Sequence, residues 1–501
     1  MKEITTLDLG KSFKMPNPGL LAYFSHVESG SSVDIRPPFW KGRSRQEVIS
    51  EWDKRFERLD VDSKMSGLEA FELEMREKIG PLSIMKPLGQ RLDSIRDYYT
   101  EVQIQSRPID QRALDAMKLT LKGVRVQVAS VRNTVDRMRL STNSGAPYFT
   151  KRRTVVDDTI NRLLIDTDFE KDPYSGIGGM LPAVLGWRGQ EGGISEDDVK
   201  QRVVWMFPFE YNIRELQAYN GLIRDWQSRN INSAYISMEA VEDKITRLFD
   251  TKGDDYVLVT DFSKFDQHFN GDLQAAAREL LEYQLVGNFH SRGWLKYVFP
   301  IKYNIPLICT KDLAFTGPHG MGSGSGGTNF DECLAHGAMQ HEAAILSGTT
   351  LNPYSNAYGD DGYLSFKGID VDKVIDVYTS HGQVMNPDKQ SISKHSAVYL
   401  RRYFHDSYRG SNGRMLGVYS TYRALGRLLG QERYIPFDDG SQDYARYVIL
   451  RAYSILENCK HSPIFHEFID FVISGDKFKL GLGLPGFLDS LPQQVKRVMD
   501  A

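Results

Sequence analysis

The chain has 501 residues, of which 41% are hydrophobic and 25% charged, with a formal net charge of -3. That length exceeds one compact core and points to about three domains or one large multilobed enzyme. No apolar run reaches the roughly 18 residues that span a bilayer, and Met1-Lys-Glu-Ile-Thr-Thr lacks the apolar stretch of a signal peptide, so a soluble, non-secreted protein is expected. Cys309, Cys333 and Cys459 are too scattered for a disulfide framework or a zinc site, which makes a reducing compartment the default.

The weak net charge excludes a protein that coats nucleic acid indiscriminately, but not one with a local basic channel. Between Arg107 and Arg153 eleven basic residues stand against three acidic ones. A solvated helix face explains such a run as readily as a nucleic-acid contact does.

In chain order, residues 1 to about 60 are Pro- and Gly-rich early on and suggest an arm over other domains. From about 60 to 140 the apolar spacing is helical, and it breaks at Asn143-Ser-Gly-Ala-Pro147. A glycine-rich stretch from Gly176 to Gly193 leads into Lys200 to Phe209, a strand with a basic start. Tyr256-Val-Leu-Val-Thr-Asp-Phe262 predicts a buried strand ending near Asp261, followed by a helix over Leu273 to Leu285. Ile305 to Thr316 predicts a hairpin turning at Lys311-Asp312. The glycine loop Gly320 to Gly327 then opens a helix from Thr328 to Leu346, closed by Gly348. Beyond about 406 the pattern is helical, with a Gly/Pro/Leu tail from Gly481 to Gly486.

Two Gly-Asp-Asp triplets occur, at Gly253 and at Gly359. The second lies between short aromatic-flanked runs, as a hairpin turn does, and turn chemistry alone accounts for many such triplets. Like charges about 4 Å apart repel by roughly 1 to 4 kcal/mol, so carboxylates cluster mainly where a cation compensates. Asp261 at a strand end and Asp360-Asp361 at a hairpin tip form such a cluster if their strands pair. Asp255 is six strand steps from Asp261, roughly 20 Å when extended, so the first triplet is expected to be a decoy. Asp266 has a bland reading as a capping or solvated acid, and Thr328 with Asp331 fits a capping box. Lys200 and Arg202 fit a solvent-facing strand edge, and Lys389 a surface turn.

In order, Ser144-Gly-Ala-Pro147, Lys200-Gln-Arg-Val-Val-Trp205, Asp261 with Asp266, Ser323-Gly324 with Thr328, Tyr358-Gly-Asp-Asp361, Lys389 and Leu400-Arg-Arg-Tyr-Phe404 resemble motifs G, F, A, B, C, D and E of viral RNA-dependent RNA polymerases. The wording Asp261-Phe-Ser-Lys-Phe-Asp-Gln-His268 and Gly322 to Glu332 is similar to picobirnavirus polymerases, with partitivirus polymerases next. The resemblance spans about residues 140 to 405.

It implies an α+β, right-hand architecture of fingers, palm and thumb around an encircled active site, the palm built on an antiparallel sheet packed on helices. The expected division is an N-terminal arm over 1–60, fingers over 61–255, a first palm segment over 256–288, a fingers insertion over 289–318, the rest of the palm over 319–405, and a thumb with tail over 406–501. The implied activity is two-metal nucleotidyl transfer on RNA templates of a double-stranded RNA virus, without a primer. Asp261, Asp360 and Asp361 would hold two Mg²⁺ ions, with Mn²⁺ able to substitute. Lys200 and Arg202 would grip the triphosphate, and Ser323 and Gly324 would line the nucleotide. Asp266 and Thr328 would sense the ribose 2′-hydroxyl, Lys389 would protonate pyrophosphate, and Ser144, Gly145 and Pro147 would meet the template. Implied partners are single- and double-stranded viral RNA, nucleoside triphosphates and viral capsid protein. A monomer without a membrane is implied, in the virion interior and host cytoplasm.

One position departs from the commoner pattern. Glu332 stands where many positive-strand polymerases place Asn, four residues after the motif B Thr, and Asn329 adjoins Thr328. A reverse transcriptase shares the palm and carboxylates, but Asp266 and the glycine-rich loop weigh against it. A non-catalytic RNA-packaging or capsid-associated protein would need only the basic segment.

Overall fold

The computed structural model describes residues 1–5, 17–165, 181–385, 390–432, 437–438 and 440–500. The chain divides into two compact units. One comprises Met1–Ser29, Pro87–Trp187 and Val203–Ala397, the other Gly30–Lys86, Arg188–Arg202 and Val398–Ala501.

In the first unit the Thr328–Leu346 helix packs on the Gln111–Thr120 and Gly271–Gln284 helices. It buries residues all round, from Phe330 and Leu334 to Ala344, as a helix at the centre of a large core must. Over it lies a four-stranded antiparallel sheet in the order Asn356–Tyr358, Asp361–Leu364, Val257–Thr260, Ser391–Ser393. The Val257–Thr260 strand is central, which suits its β-branched, apolar sequence.

A second sheet runs Lys2–Ile4, Ala314–Thr316, Leu307–Ile308, Ala183–Gln190, Lys200–Met206. The hairpin expected over 305–316 is present, with Leu307 opposite Phe315 and Ile308 opposite Ala314. The glycine-rich stretch from 176 to 193 is described only in part. Gly176 to Gly179 lie outside the described residues, and Ala183–Gln190 is a strand. Its glycines serve close packing, since a Cβ on Gly186 would stand 3.1 Å from Val204 Cβ. The strand begun at Lys200 ends at Met206 rather than Phe209, because Pro208 caps the Phe209–Ser228 helix.

The second unit gathers the Arg45–Phe56, Leu68–Arg76, Thr421–Leu429, Gln442–Leu456 and Phe465–Gly475 helices around Trp52, Phe71, Tyr422 and Phe468. Trp52 meets Phe468 edge-on at 5.0 Å. Buried Glu72 accepts the Thr421 N–H at 2.9 Å and the Tyr422 N–H at 3.3 Å, satisfying the open end of that helix. Among the described residues no helix is long and apolar enough to cross a membrane.

Candidate active site

Strand register assembles the carboxylates. Thr260 faces Gly362, and Tyr358 faces Asp361 across a two-residue turn of Gly359 and Asp360. Asp261, one residue past Thr260, therefore continues its strand beside Asp361. All three carboxylates are exposed. Gly359 has φ +66° at the first corner, the place where a two-residue hairpin turn with one left-handed residue requires glycine. A Cβ there would also press to 2.9 Å from Asn329 Nδ2 and 3.2 Å from Glu332 Oε2. Gln390 pins the main chain of Asp261, accepting its N–H at 3.0 Å and donating to its carbonyl at 2.8 Å.

The Thr328–Leu346 helix supports this turn from below. Asn329, Glu332, Cys333 and His336 share one face at i, i+3, i+4 and i+7. The Gly359 N–H donates to Cys333 Sγ at 3.3 Å, and His336 Nδ1 lies 2.9 Å from the Gly359 carbonyl. Burial pushes the Cys333 thiol up to about 12 and the His336 imidazole down to about 4, so both are neutral at pH 7. A carbonyl accepts only, so Nδ1 carries the imidazole proton, leaving Nε2 3.4 Å from Thr260 Oγ1. The roles of His336 and Cys333 are absent from the motif reading. Polar residues at helical spacing on an otherwise apolar helix are the signal that marks them.

Glu332 is 5% exposed. Burial, then the Asp266 carboxylate hydrogen-bonded to it and the nearby Asp360, push its carboxyl well above the usual carboxylate range. Glu332 is thus the protonated member of a carboxyl–carboxylate pair with Asp266.

The glycine loop is held on both sides. Ser323 Oγ donates to the Val203 carbonyl at 3.4 Å, and a Cβ on Gly324 would lie 1.7 Å from the Trp205 carbonyl oxygen, so only glycine fits there. Glu215 accepts from Ser325 Oγ and from the Gly326 N–H at 2.8 Å, while Asn212 Nδ2 donates to the Gly324 carbonyl at 3.1 Å. Thr328 Oγ1 donates to the Gly322 carbonyl at 3.0 Å. The Thr328–Asp331 capping box does not form, because Gly327 is the N-cap and lacks a side-chain cap bond. Asp331 is instead buried against Lys302, 3.2 Å away.

The remaining predicted positions differ in setting. Ser144 is buried, its hydroxyl accepting the Thr150 N–H at 3.1 Å. Gly145 has φ +60°, and a Cβ there would stand 2.5 Å from the Phe207 carbonyl oxygen. Pro147 follows a cis bond from Ala146. Lys200 and Arg202 are exposed and belong to the second unit. Lys389 lies outside the described residues.

The triplet at Gly253 precedes the Val257–Thr260 strand, at the end opposite Asp261. Asp255 Oδ1 accepts the Gly368 N–H at 2.8 Å, a structural use. Asp254→Asn with Asp255→Asn is expected to keep RNA synthesis within a few-fold of wild type. A loss as deep as that of Asp360→Asn, measured by ribonucleotide incorporation, would transfer the site to the first triplet.

The oxygen donors of Asp261, Asp360 and Asp361 at neighbouring strand ends suit a hard divalent cation. Among the described residues no three His, Cys, Asp or Glu side chains are already gathered as a metal cage.

Residues 117–415 match a family model described as viral RNA-dependent RNA polymerase. Over 493 residues, 98% of the chain and 91% of the relative, the sequence is 49% identical to a "Potential RNA-dependent RNA polymerase" of Human picobirnavirus (strain Human/Thailand/Hy005102/-). Two crystal structures of the RNA-dependent RNA polymerase of a human picobirnavirus match with TM-scores of 0.91 at 48% identity over 98% of this chain. One is an insertion-loop deletion mutant covered over 96% of its length, and the other is covered over 93%.

Proposed function

Because the chain belongs to the viral RNA-dependent RNA polymerases and has the α+β fold of picobirnavirus polymerases, we propose that this RNA-directed RNA polymerase copies viral RNA by two-metal nucleotidyl transfer. It would serve both transcription and genome replication, starting without a primer. The observation that carries this reading is the register that brings Asp261 beside the Gly359–Asp360 turn and Asp361.

Two Mg²⁺ ions, or Mn²⁺ in their place, would supply charge neutralisation and Lewis acidity when bound by Asp261, Asp360 and Asp361. The chain's own groups do the rest. Lys200 and Arg202 hold triphosphate oxygens, the guanidinium through its paired N–H donors. Lys389 delivers a proton to the departing pyrophosphate. Ser323 and Gly324 let the loop backbone approach the nucleotide, and Ser144, Gly145 and Pro147 shape the template path. Thr328 Oγ1 spends its proton on Gly322, so its lone pairs are left to accept from a ribose hydroxyl. Asp266, paired with protonated Glu332, offers a second acceptor. Single- and double-stranded viral RNA and nucleoside triphosphates are the proposed partners. A monomer working with capsid protein in the virion interior and in the host cytoplasm is part of the same proposal, which rests on the likeness to picobirnavirus polymerases.

The test is incorporation on a single-stranded RNA template without primer, in Mg²⁺ and after chelation. Ribonucleotide-dependent product that disappears on chelation is expected, and product from deoxyribonucleotides alone would overturn the reading. A polar pocket left unpaired by a missing hydroxyl penalises the wrong substrate. Asp266→Ala should therefore lower ribonucleotide kcat/KM and narrow the preference over deoxyribonucleotides. An unchanged ratio of the two would hand the selection to Glu332 or Asn329.

A further inference from the structure

Behind the strand that leads to Asp360, a cavity of about 630 Å³ opens within the first unit. Its size falls in the range of small-molecule sites, roughly 300–1,000 Å³. Lys244 and Arg247, one turn apart on the Met238–Thr251 helix, both line it. Lys244 Nζ donates to the Ile231 carbonyl at 2.8 Å and to Asn356 Oδ1 at 2.9 Å. Both partners are neutral, and among the described residues no carboxylate pairs with this ammonium. Arg247 rests over the ring of Tyr354, 5.8 Å from its centroid, and forms no ion pair among the described residues. A third cation in the wall, Arg229, is committed to Asp225 at 2.7 Å. The acidic residue of the lining is Asp243, whose side chain is exposed.

Lys244 is partly buried, and an ammonium withdrawn from water without a counter-charge carries a desolvation cost that an anionic ligand relieves. Burial pushes Lys244 down to about 8, the mark of an uncompensated cation. The guanidinium of Arg247, over the Tyr354 ring, is a paired N–H donor of the kind that suits phosphate-type oxygens. Tyr354 beside it gives a planar, apolar surface of the kind on which a base stacks.

We propose that this cavity binds a nucleoside phosphate, with Lys244 and Arg247 on the phosphate and Tyr354 against the base. The site is separate from the carboxylate turn and does not depend on the proposed two-metal chemistry. Through its Asn356 partner Lys244 borders the strand that runs to Asp360, and Asn356 Nδ2 donates to Asn232 Oδ1 at 3.0 Å.

The experiment is a calorimetric titration of the full chain with adenosine monophosphate, adenosine and inorganic phosphate, each in EDTA so that the metal-dependent site is silent. Saturable binding of adenosine monophosphate, competed by phosphate and absent for adenosine, is expected. Lys244→Gln with Arg247→Gln should weaken it at least ten-fold, while Lys200→Gln with Arg202→Gln leaves it unchanged. Arg247→Gln alone, a change at an exposed side chain, should weaken it several-fold and serves if the Lys244 substitution unfolds the chain. No saturable binding by wild type, equal binding by the Arg247→Gln variant, or loss in the Lys200/Arg202 variant would overturn the proposal. Binding of a short oligoribonucleotide but not of the monophosphate would also overturn it, since the occupant would be an RNA strand.

Discussion

Asp360→Asn is expected to lower ribonucleotide incorporation by several orders of magnitude while leaving the melting temperature and RNA binding close to wild type. The side chain is exposed and the substitution nearly isosteric, so the packing beneath is undisturbed. The turn is made by Gly359, whose N–H and carbonyl are held by Cys333 and His336, and none of those contacts involves the Asp360 carboxylate. What changes is charge. A divalent cation at the strand ends loses a formal negative ligand, and the triphosphate it would neutralise is left repelled by the remaining carboxylates. RNA binding persists because phosphate contacts come from basic residues. The check is incorporation kinetics beside a thermal melt and an RNA-binding titration. Robust synthesis by the variant would remove Asp360 from the site.

The second large effect is on stability. Lys302 and Asp331 are both fully buried and lie 3.2 Å apart. Asp331 also accepts from Tyr219 OH at 2.7 Å and Tyr303 OH at 2.8 Å, while Lys302 donates to Tyr219 OH at 3.0 Å and to the Phe299 carbonyl at 3.1 Å. Asp331→Ala strands an ammonium in the core and removes the acceptor of two phenols, so a loss of about 3–5 kcal/mol is expected by denaturant unfolding. Replacing both partners, Lys302→Met with Asp331→Leu, should recover most of that loss, because the desolvated charge disappears with its partner. A single-variant loss under about 1 kcal/mol would mean that the pair contributes little. Asp331 sits on the helix that carries Glu332, Cys333 and His336, so its removal should also disturb the turn at Gly359 and depress synthesis.

Much of the carboxylate site was legible in one dimension. The strand ending near Asp261, the helix from Thr328 and the hairpin at Gly359 follow from local rules: β-branched apolar runs, 3.6-residue periodicity and the glycine demanded by a tight turn. The separation of the two Gly-Asp-Asp triplets follows from the rise of a strand alone. Other parts were misread for equally local reasons. Thr328 and Asp331 have the spacing of a capping box, yet Asp331 serves the buried Lys302, 29 residues upstream, which no short-range pattern encodes. The use of Gly186 and Gly189 is equally non-local: within their strand a Cβ would press to 3.1 Å from Val204 Cβ and to 2.4 Å from the Leu82 carbonyl oxygen.

Sequence alone determined which residues could carry the chemistry and the local element each one occupies, because backbone sterics and side-chain period act over a few residues. Tertiary structure alone decided that Asp261 runs beside Asp361, that Gly359 hangs from Cys333 and His336, and that Glu332 is kept protonated against Asp266. Those outcomes depend on strand register and on desolvation by distant segments, and both arise only when parts of the chain a hundred residues apart are packed together.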